Sequence, residues 1–191
     1  GLSPFTSGIF TDVLGVDRSS YVGKKVIDIG CGPRGSLEWL DDSKLRVGID
    51  PLMPDYLQLG VTGHKTSYVA CNAEQLPFAN ASFDIVTSIN SLDHVDDLSL
   101  TPDEIARILT SGGHFIFLVE VHHKATLSEP ITIPWNLTTQ LSHDFRIVSE
   151  YHYEEAKHRP GSAAAARASV PFDHSNTEKR SGTLLATLER L

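Results

Sequence analysis

Long apolar runs are missing from this chain, and so is any surplus of positive charge. No stretch approaches the ~20 consecutive apolar residues of a membrane-spanning helix, so no membrane association is expected. Lys and Arg number 16 against 24 Asp and Glu, for a net charge of −8. That balance argues against a broad nucleic-acid footprint, which needs clustered cations facing phosphates. Cysteine is scarce, with only Cys31 and Cys71, and reduced thiols in a cytoplasmic protein are the simplest account of both. The first residues show no leader pattern, although Gly rather than Met at position 1 leaves an earlier targeting segment open. Internal repeats are absent too. The 191 residues, 40% hydrophobic and 21% charged, are expected to form one domain over 1–191 with chain enough for a real core.

What the chain does contain is a strand running into a glycine turn. Val26, Ile27 and Ile29 are β-branched and apolar, as suits a strand buried on both faces of a parallel sheet. Gly30, Gly32 and Gly35 follow, which lets the chain turn tightly and a ligand lie against bare backbone. Ser36 is expected to open a helix over residues 36–41 whose first amides face that ligand. The order G-C-G-P-R-G satisfies the dinucleotide spacing, and Asp50 ends the next apolar run about 20 residues further on. A carboxylate there can accept from both ribose hydroxyls of any nucleoside. Spacing alone therefore admits a nicotinamide dinucleotide and S-adenosylmethionine alike.

Phe5, Ile9, Phe10, Val13 and Leu14 recur at helical spacing, which predicts a cap helix within residues 1–20 that either closes the core or covers a pocket. Strands are expected over residues 26–29, 45–49, 67–71, 83–89 and 115–119. Short helical pieces are expected at 55–59 and 74–76, and a longer helix from Pro102 to a Gly112-Gly113 stop. This alternation predicts a doubly wound parallel sheet. Beyond it lie a loop at 122–134, a short helix at 135–141, and strands at 146–153 and 183–188. Residues 154–181, between the last two strands, are too long for a hairpin loop and are read as an insert or lid. Propensity predicts a helix within it at 162–168.

Five segments occur in order: D-I-G-C-G (28–32), V-G-I-D-P (47–51), N-A-E-Q-L-P-F (72–78), S-F-D-I-V (82–86) and E-I-A-R-I-L-T-S-G-G-H-F (104–115). Together they resemble the class I S-adenosylmethionine-dependent methyltransferases over roughly residues 24–120. The resemblance implies an α/β fold: a doubly wound, Rossmann-like seven-stranded sheet, mostly parallel with the last strand antiparallel. In that order one strand separates those that precede Cys31 and Cys71, placing them about 10 Å apart, beyond disulfide reach. The implied cofactor is S-adenosyl-L-methionine. In similar enzymes an acidic residue at Asp28 reaches the methionine end, above the turn of Gly30, Cys31 and Gly32, and Asp50 takes the ribose hydroxyls. Pro51 follows, and Leu52 and Met53 offer an apolar wall for adenine. Asn72 stands where many relatives have Asp; its oxygen can accept from the adenine amino group, or its NH₂ can meet a ring nitrogen. Ala73 and Glu74 adjoin the base, and Asn90 is expected near the methionine moiety.

Methyl transfer is an in-line displacement from a sulfonium, so catalysis is chiefly positioning and exclusion of water. A general base is needed only where the acceptor must lose a proton. The acceptor belongs beyond the C-terminal strand ends, where the loops carry Asp93, His94, Glu120, His122, His123 and Trp135. His94, His122 and His123 are the catalytic candidates, with packing or surface roles as the alternative. Strand alternation allows only one of His122 and His123 to point inward. Asp93, Asp96, Asp97 and the two histidines lack a recognisable ligand spacing, so no metal is assigned. The reading is S-adenosylmethionine-dependent methyl transfer to the oxygen or nitrogen of a small-molecule acceptor, with a homodimer left open. The alternatives are an NAD-dependent oxidoreductase, weakened by N-A-E-Q-L-P-F, and a non-catalytic S-adenosylmethionine-binding interaction domain.

Overall fold

A computed structural model describes residues 6–60, 63–127, 129–155 and 161–191 of the chain. Its strands are β1 (Lys25–Ile29), β2 (Leu45–Ile49), β3 (Ser67–Val69), β4 (Phe83–Ile89), β5 (Leu109–Val121), β6 (Phe145–Glu154) and β7 (Gly182–Arg190). They form a seven-stranded sheet in the order β3-β2-β1-β4-β5-β7-β6. β1 to β5 pair in parallel, and β7 runs antiparallel to both β5 and β6. The chain leaves β1 toward β2 and β3, then returns to β4 on the other side, so the order reverses between β1 and β4. In open α/β sheets that reversal opens a crevice beyond the strand ends.

Successive residues of β1 serve opposite faces. Ile27 and Ile29 join Val47, Val86, Phe117 and Leu184 in one apolar layer. Val26 joins Leu37, Ile116 and Leu118 in the other, with Phe10, Val13 and Tyr21 from the N-terminal segment. That segment is one α-turn, α1 (Thr6–Gly8), followed by a π-helical turn at Ile9–Val13. Phe5 lies outside the described residues. The remaining helices are α2 (Met53–Gln58), α3 (Thr101–Ile108), α4 (Leu137–Gln140) and α5 (Ser162–Ala168). α5 belongs to the 154–181 insert and is packed onto the sheet, with Ala165 and Ala166 buried.

Three expectations are corrected. Residues 36–41 form successive turns with no helix, as Glu38 N donates to Gly35 O and Leu40 N to Leu37 O. Gly35, at φ +68°, redirects the chain, and Leu37 and Leu40 are buried three residues apart, the period of a tight turn. Gly112-Gly113 does not end a helix, because α3 stops at Ile108 and β5 starts at Leu109. The pair sits instead in a bulge, where the register jumps from Phe83↔Leu109 to Ile85↔His114. A Cβ on Gly113 would lie 2.8 Å from Thr110 O and 3.0 Å from Asp84 O. Residues 74–76 are likewise a turn and not helical. Their backbone is claimed by α3: Leu76 N donates to Glu104 (2.7 Å), and Arg107 donates to Leu76 O (2.9 Å) and Phe78 O (2.7 Å).

Candidate active site

A cavity of about 490 Å³ opens at the C-terminal ends of β1, β2 and β4, where the strand order reverses. The glycine turn forms its floor, and its first two glycines do different work. Gly30, at φ +70°, makes room for protein: a Cβ there would lie 2.3 Å from Ser91 Cβ. Ser91 Oγ in turn donates to Ile29 O (2.7 Å), tying the loop after β4 to the end of β1. Gly32, at φ +60°, has nothing within 4 Å of the corresponding position, so its bare backbone is open to a ligand. Asp50, 8% exposed, accepts from Gly32 N (3.1 Å) and Leu52 N (2.9 Å). A carboxylate has about four lone-pair sites, so these two bonds fix its orientation and leave capacity for two more donors.

Across the cavity Asn72 Nδ2 donates to Asp96 Oδ2 (2.9 Å). Asp96 in its ionised form can only accept, which fixes the amide orientation and leaves Asn72 Oδ1 as an uncommitted acceptor. Glu74 staples the same turn to the loop after β4, accepting from Asp96 N (2.7 Å) and Asp97 N (2.9 Å). Asn90 holds a left-handed backbone (φ +53°), an uncommon state for a non-glycine residue that clusters at functional sites. Its Oδ1 is buried with no hydrogen-bond partner among the described residues. An orphaned acceptor of this kind costs about 1–3 kcal/mol and calls for a donor.

Residues 27–117 match the family described as the methyltransferase domain. Just under half of the chain thus resembles the class I methyltransferases. A ubiquinone biosynthesis O-methyltransferase of Aliivibrio fischeri (strain MJ11) is 36% identical over 107 residues, covering 53% of this chain and 46% of that one. The chloroplastic tocopherol O-methyltransferase of Arabidopsis thaliana is 28% identical over 120 residues, covering 59% of this chain and 34% of that one. The chain thus spans between a third and a half of the length of these curated relatives. The solved N-methyltransferase NodS from Bradyrhizobium japonicum WM9, in complex with S-adenosyl-L-homocysteine, shares the fold. It superposes with a TM-score of 0.66 at 20% identity, over 98% of this chain and 88% of that one. S-adenosyl-L-methionine is the cofactor of this family. The cavity's donor set fits it: open backbone at Gly32, a fixed carboxylate at Asp50, and unclaimed amide oxygens at Asn72 and Asn90.

Pro51, Leu52, Ala73 and Glu74 also line this cavity, whereas Asp28 and Cys31 do not. Asp28 lies behind the turn, accepting from Thr87 Oγ1 (2.7 Å), with the Ser36 hydroxyl facing it without a full hydrogen bond. Burial pushes its carboxyl up to about 6, against the Thr87 hydrogen bond and with a small addition from the charge of Asp50. Cys31 is buried against β2, where a Cβ on Gly48 would lie 2.7 Å from its sulfur, and burial pushes its thiol up. Both cysteines are free. Tyr56, Ser91, Val95 and Asp96 line the cavity without having been singled out for it from the sequence. Among the described residues no helix is long and apolar enough to cross a membrane.

Of the three histidines, His94 reaches the cavity wall, with Nε2 3.7 Å from Asp93 Oδ1. His122 points inward and His123 outward, as strand alternation allows. His122 does not line the cavity; its Nε2 faces Glu129 Oε2 (3.3 Å) and Glu120 Oε2 (3.5 Å). Trp135 packs on Phe172 and His152 (ring centroids 4.4 and 4.6 Å) and lies away from the cavity as well.

Proposed function

We propose that this domain binds S-adenosyl-L-methionine over β1, β2 and β4 and directs its methyl group to an oxygen of a small-molecule acceptor. The observation that carries the reading is Asp50, pinned by Gly32 and Leu52 amides beside open backbone at Gly32. Its remaining lone pairs accept from the two ribose hydroxyls. Asn72 Oδ1 accepts from the adenine amino group, and Asn90 Oδ1 supplies the acceptor that a methionine ammonium requires. Oxygen is favoured because both curated relatives are named O-methyltransferases.

The bound cofactor supplies an electrophilic methyl on a sulfonium. The protein's part is to hold the two reactants in line and keep water from the sulfur. Nine of the eleven residues read as cofactor-binding (Gly30, Gly32, Asp50, Pro51, Leu52, Asn72, Ala73, Glu74 and Asn90) do the holding from the cavity wall. Asp28 and Cys31 support them from behind. His94, the histidine at the wall, orients the acceptor's hydroxyl and can take its proton. Residues 1–191 act as one unit in this reading, in a reducing cytoplasmic setting that suits two free thiols.

Calorimetry with S-adenosyl-L-homocysteine and with NAD tests the cofactor, and turnover of labelled S-adenosyl-L-methionine against phenols, carboxylic acids and amines tests the acceptor. Binding of the homocysteine product, with transfer to one of the oxygen acceptors, is expected. Binding of NAD in its place returns the oxidoreductase reading; binding without transfer to any acceptor leaves the interaction-domain reading.

A further inference from the structure

Beside the cofactor cavity the described residues bring together carboxylates that outnumber their positive partners. Asp93 lies in the turn at Leu92–His94 after β4 and is fully buried, 0% exposed. Among the described residues neither of its carboxylate oxygens has a hydrogen-bond donor. His122, just past the end of β5, and Glu129, in the following loop, converge on it, and one ligating atom from each lies within 4.8 Å of the others. His122 Nε2 is buried and likewise has no hydrogen-bond partner among the described residues.

Each of the other groups is held from behind. His122 Nδ1 is 3.4 Å from Ser181 Oγ, which directs Nε2 inward. Glu129 Oε2 accepts from Thr126 Oγ1 (3.1 Å), and Glu120 Oε1 accepts from Ser162 N (2.9 Å). Metal ligands are commonly oriented in this way by a second layer of hydrogen bonds. The charge does not balance. Asp93, Glu120 and Glu129 bring three carboxylates, and among the described residues their ion-pair partners are only His94 and His122.

We propose that Asp93, His122 and Glu129 bind a divalent first-row transition cation, with Glu120 at the edge of the site. One imidazole nitrogen with carboxylate oxygens suits Zn²⁺, Mn²⁺ or Fe²⁺, whereas Ca²⁺ and Mg²⁺ prefer oxygen alone. Three protein ligands leave positions open for a small molecule, the pattern of catalytic sites. His94, next in sequence to Asp93, lines the cofactor cavity, so the ion would sit near that wall. The site stands on its own geometry. Only its use, to hold and acidify an acceptor's hydroxyl, rests on the methyl-transfer reading.

The test is titration of the chelator-treated, dialysed protein with Mn²⁺, Zn²⁺ and Co²⁺, followed by calorimetry and, for Co²⁺, visible absorption. One ion bound per chain is expected, weakened at least tenfold by Asp93→Asn and by Glu129→Gln and unchanged by His123→Ala. Should Asp93→Asn fail to fold, Glu129→Gln carries the comparison, because Glu129 is only half-buried. Absence of binding by all three ions, or binding indifferent to both substitutions, overturns the proposal. Each sample is also titrated with S-adenosyl-L-homocysteine. A protein that binds ions but not the nucleoside refutes the cofactor reading alone, and the reverse refutes this one alone.

Discussion

Asp50 and Asp93 both follow the C-terminal end of a strand, and both are almost out of water, at 8% and 0% exposure. Their surroundings differ completely. Asp50 accepts from two backbone amides, Gly32 N at 3.1 Å and Leu52 N at 2.9 Å, so the protein alone satisfies it. Asp93 is placed by its neighbours, with Leu92 in the core and Ile131 N donating to its backbone oxygen (3.2 Å), yet its carboxylate has no hydrogen-bond partner among the described residues. Asp28 falls between the two, with one hydroxyl donor and a carboxyl raised to about 6. Burying a carboxylate is expensive unless it is paired. The series therefore separates a carboxylate that the chain itself supplies with donors from one that needs a cation from outside.

The turn that completes Asp50 gives the largest expected effect. Gly30→Ala combines a left-handed backbone with a Cβ placed 2.3 Å from Ser91 Cβ. The two penalties together destabilise by about 3 kcal/mol. Gly32→Ala carries only the backbone penalty, about 1 kcal/mol, but also loses cofactor affinity because its open face is filled. Urea unfolding with parallel calorimetry checks both. Equal stability losses at the two positions would remove the distinction between a glycine that admits protein and one that admits ligand.

Asp28 gives the next effect, as a slope against pH. Its folded carboxyl titrates at about 6, above the ordinary 3.8. Between those values the folded state holds a proton that the unfolded chain has released, so stability falls as pH rises through the window. The loss is complete above pH ~6, on the order of 2–3 kcal/mol. Asp28→Asn should remove this slope, so the variant gains on the parent between pH ~4 and ~6. Parallel stability curves across that range would show that Asp28 is already ionised at low pH.

Asp50→Ala should weaken S-adenosyl-L-homocysteine by about 1.5–3 kcal/mol, the range for a charged hydrogen bond. Asp50→Asn should lose less, because it keeps an acceptor for one hydroxyl. Calorimetry that finds both variants equal to the parent would mean that the ribose lies elsewhere.

The same contrast explains what could be read from the sequence. β2 and β4 were legible to the residue, because both are mostly buried and rich in β-branched and apolar residues despite Arg46 and Asp84. Most of the cavity's lining was legible because glycine turns and the residues after strand ends are local in sequence. Residues 36–41 misled because burial there has a period of three after Gly35 turns the chain, and Gly112-Gly113 because a bulge uses the same glycines as a helix stop. Asp93, His122 and Glu129 come from three segments that only the pairing of β4 with β5 brings together. Asp96 and Asp97 looked equally suited to a metal, but the first accepts from Asn72 and the second from Ser99.

The smallest expected effect separates the adjacent histidines. β5 persists to Val121, so alternation continues into the next two residues and turns them to opposite sides. His122 has a side chain only 13% exposed, beside Glu120 and Glu129. His123 is exposed, with no ion pair among the described residues. His123→Ala should change stability and cofactor affinity by less than about 0.5 kcal/mol, as surface substitutions generally do. His122→Ala removes an imidazole shared by two carboxylates and should cost more, about 1–2 kcal/mol, with the ordinary value of a charge-assisted contact. Thermal melts and titration of S-adenosyl-L-homocysteine read both. A His123 variant that lost as much as the His122 variant would place the two side chains on the same side of the chain. The strand would then end before Val121, and with it would go the geometry that sets His122 against Asp93.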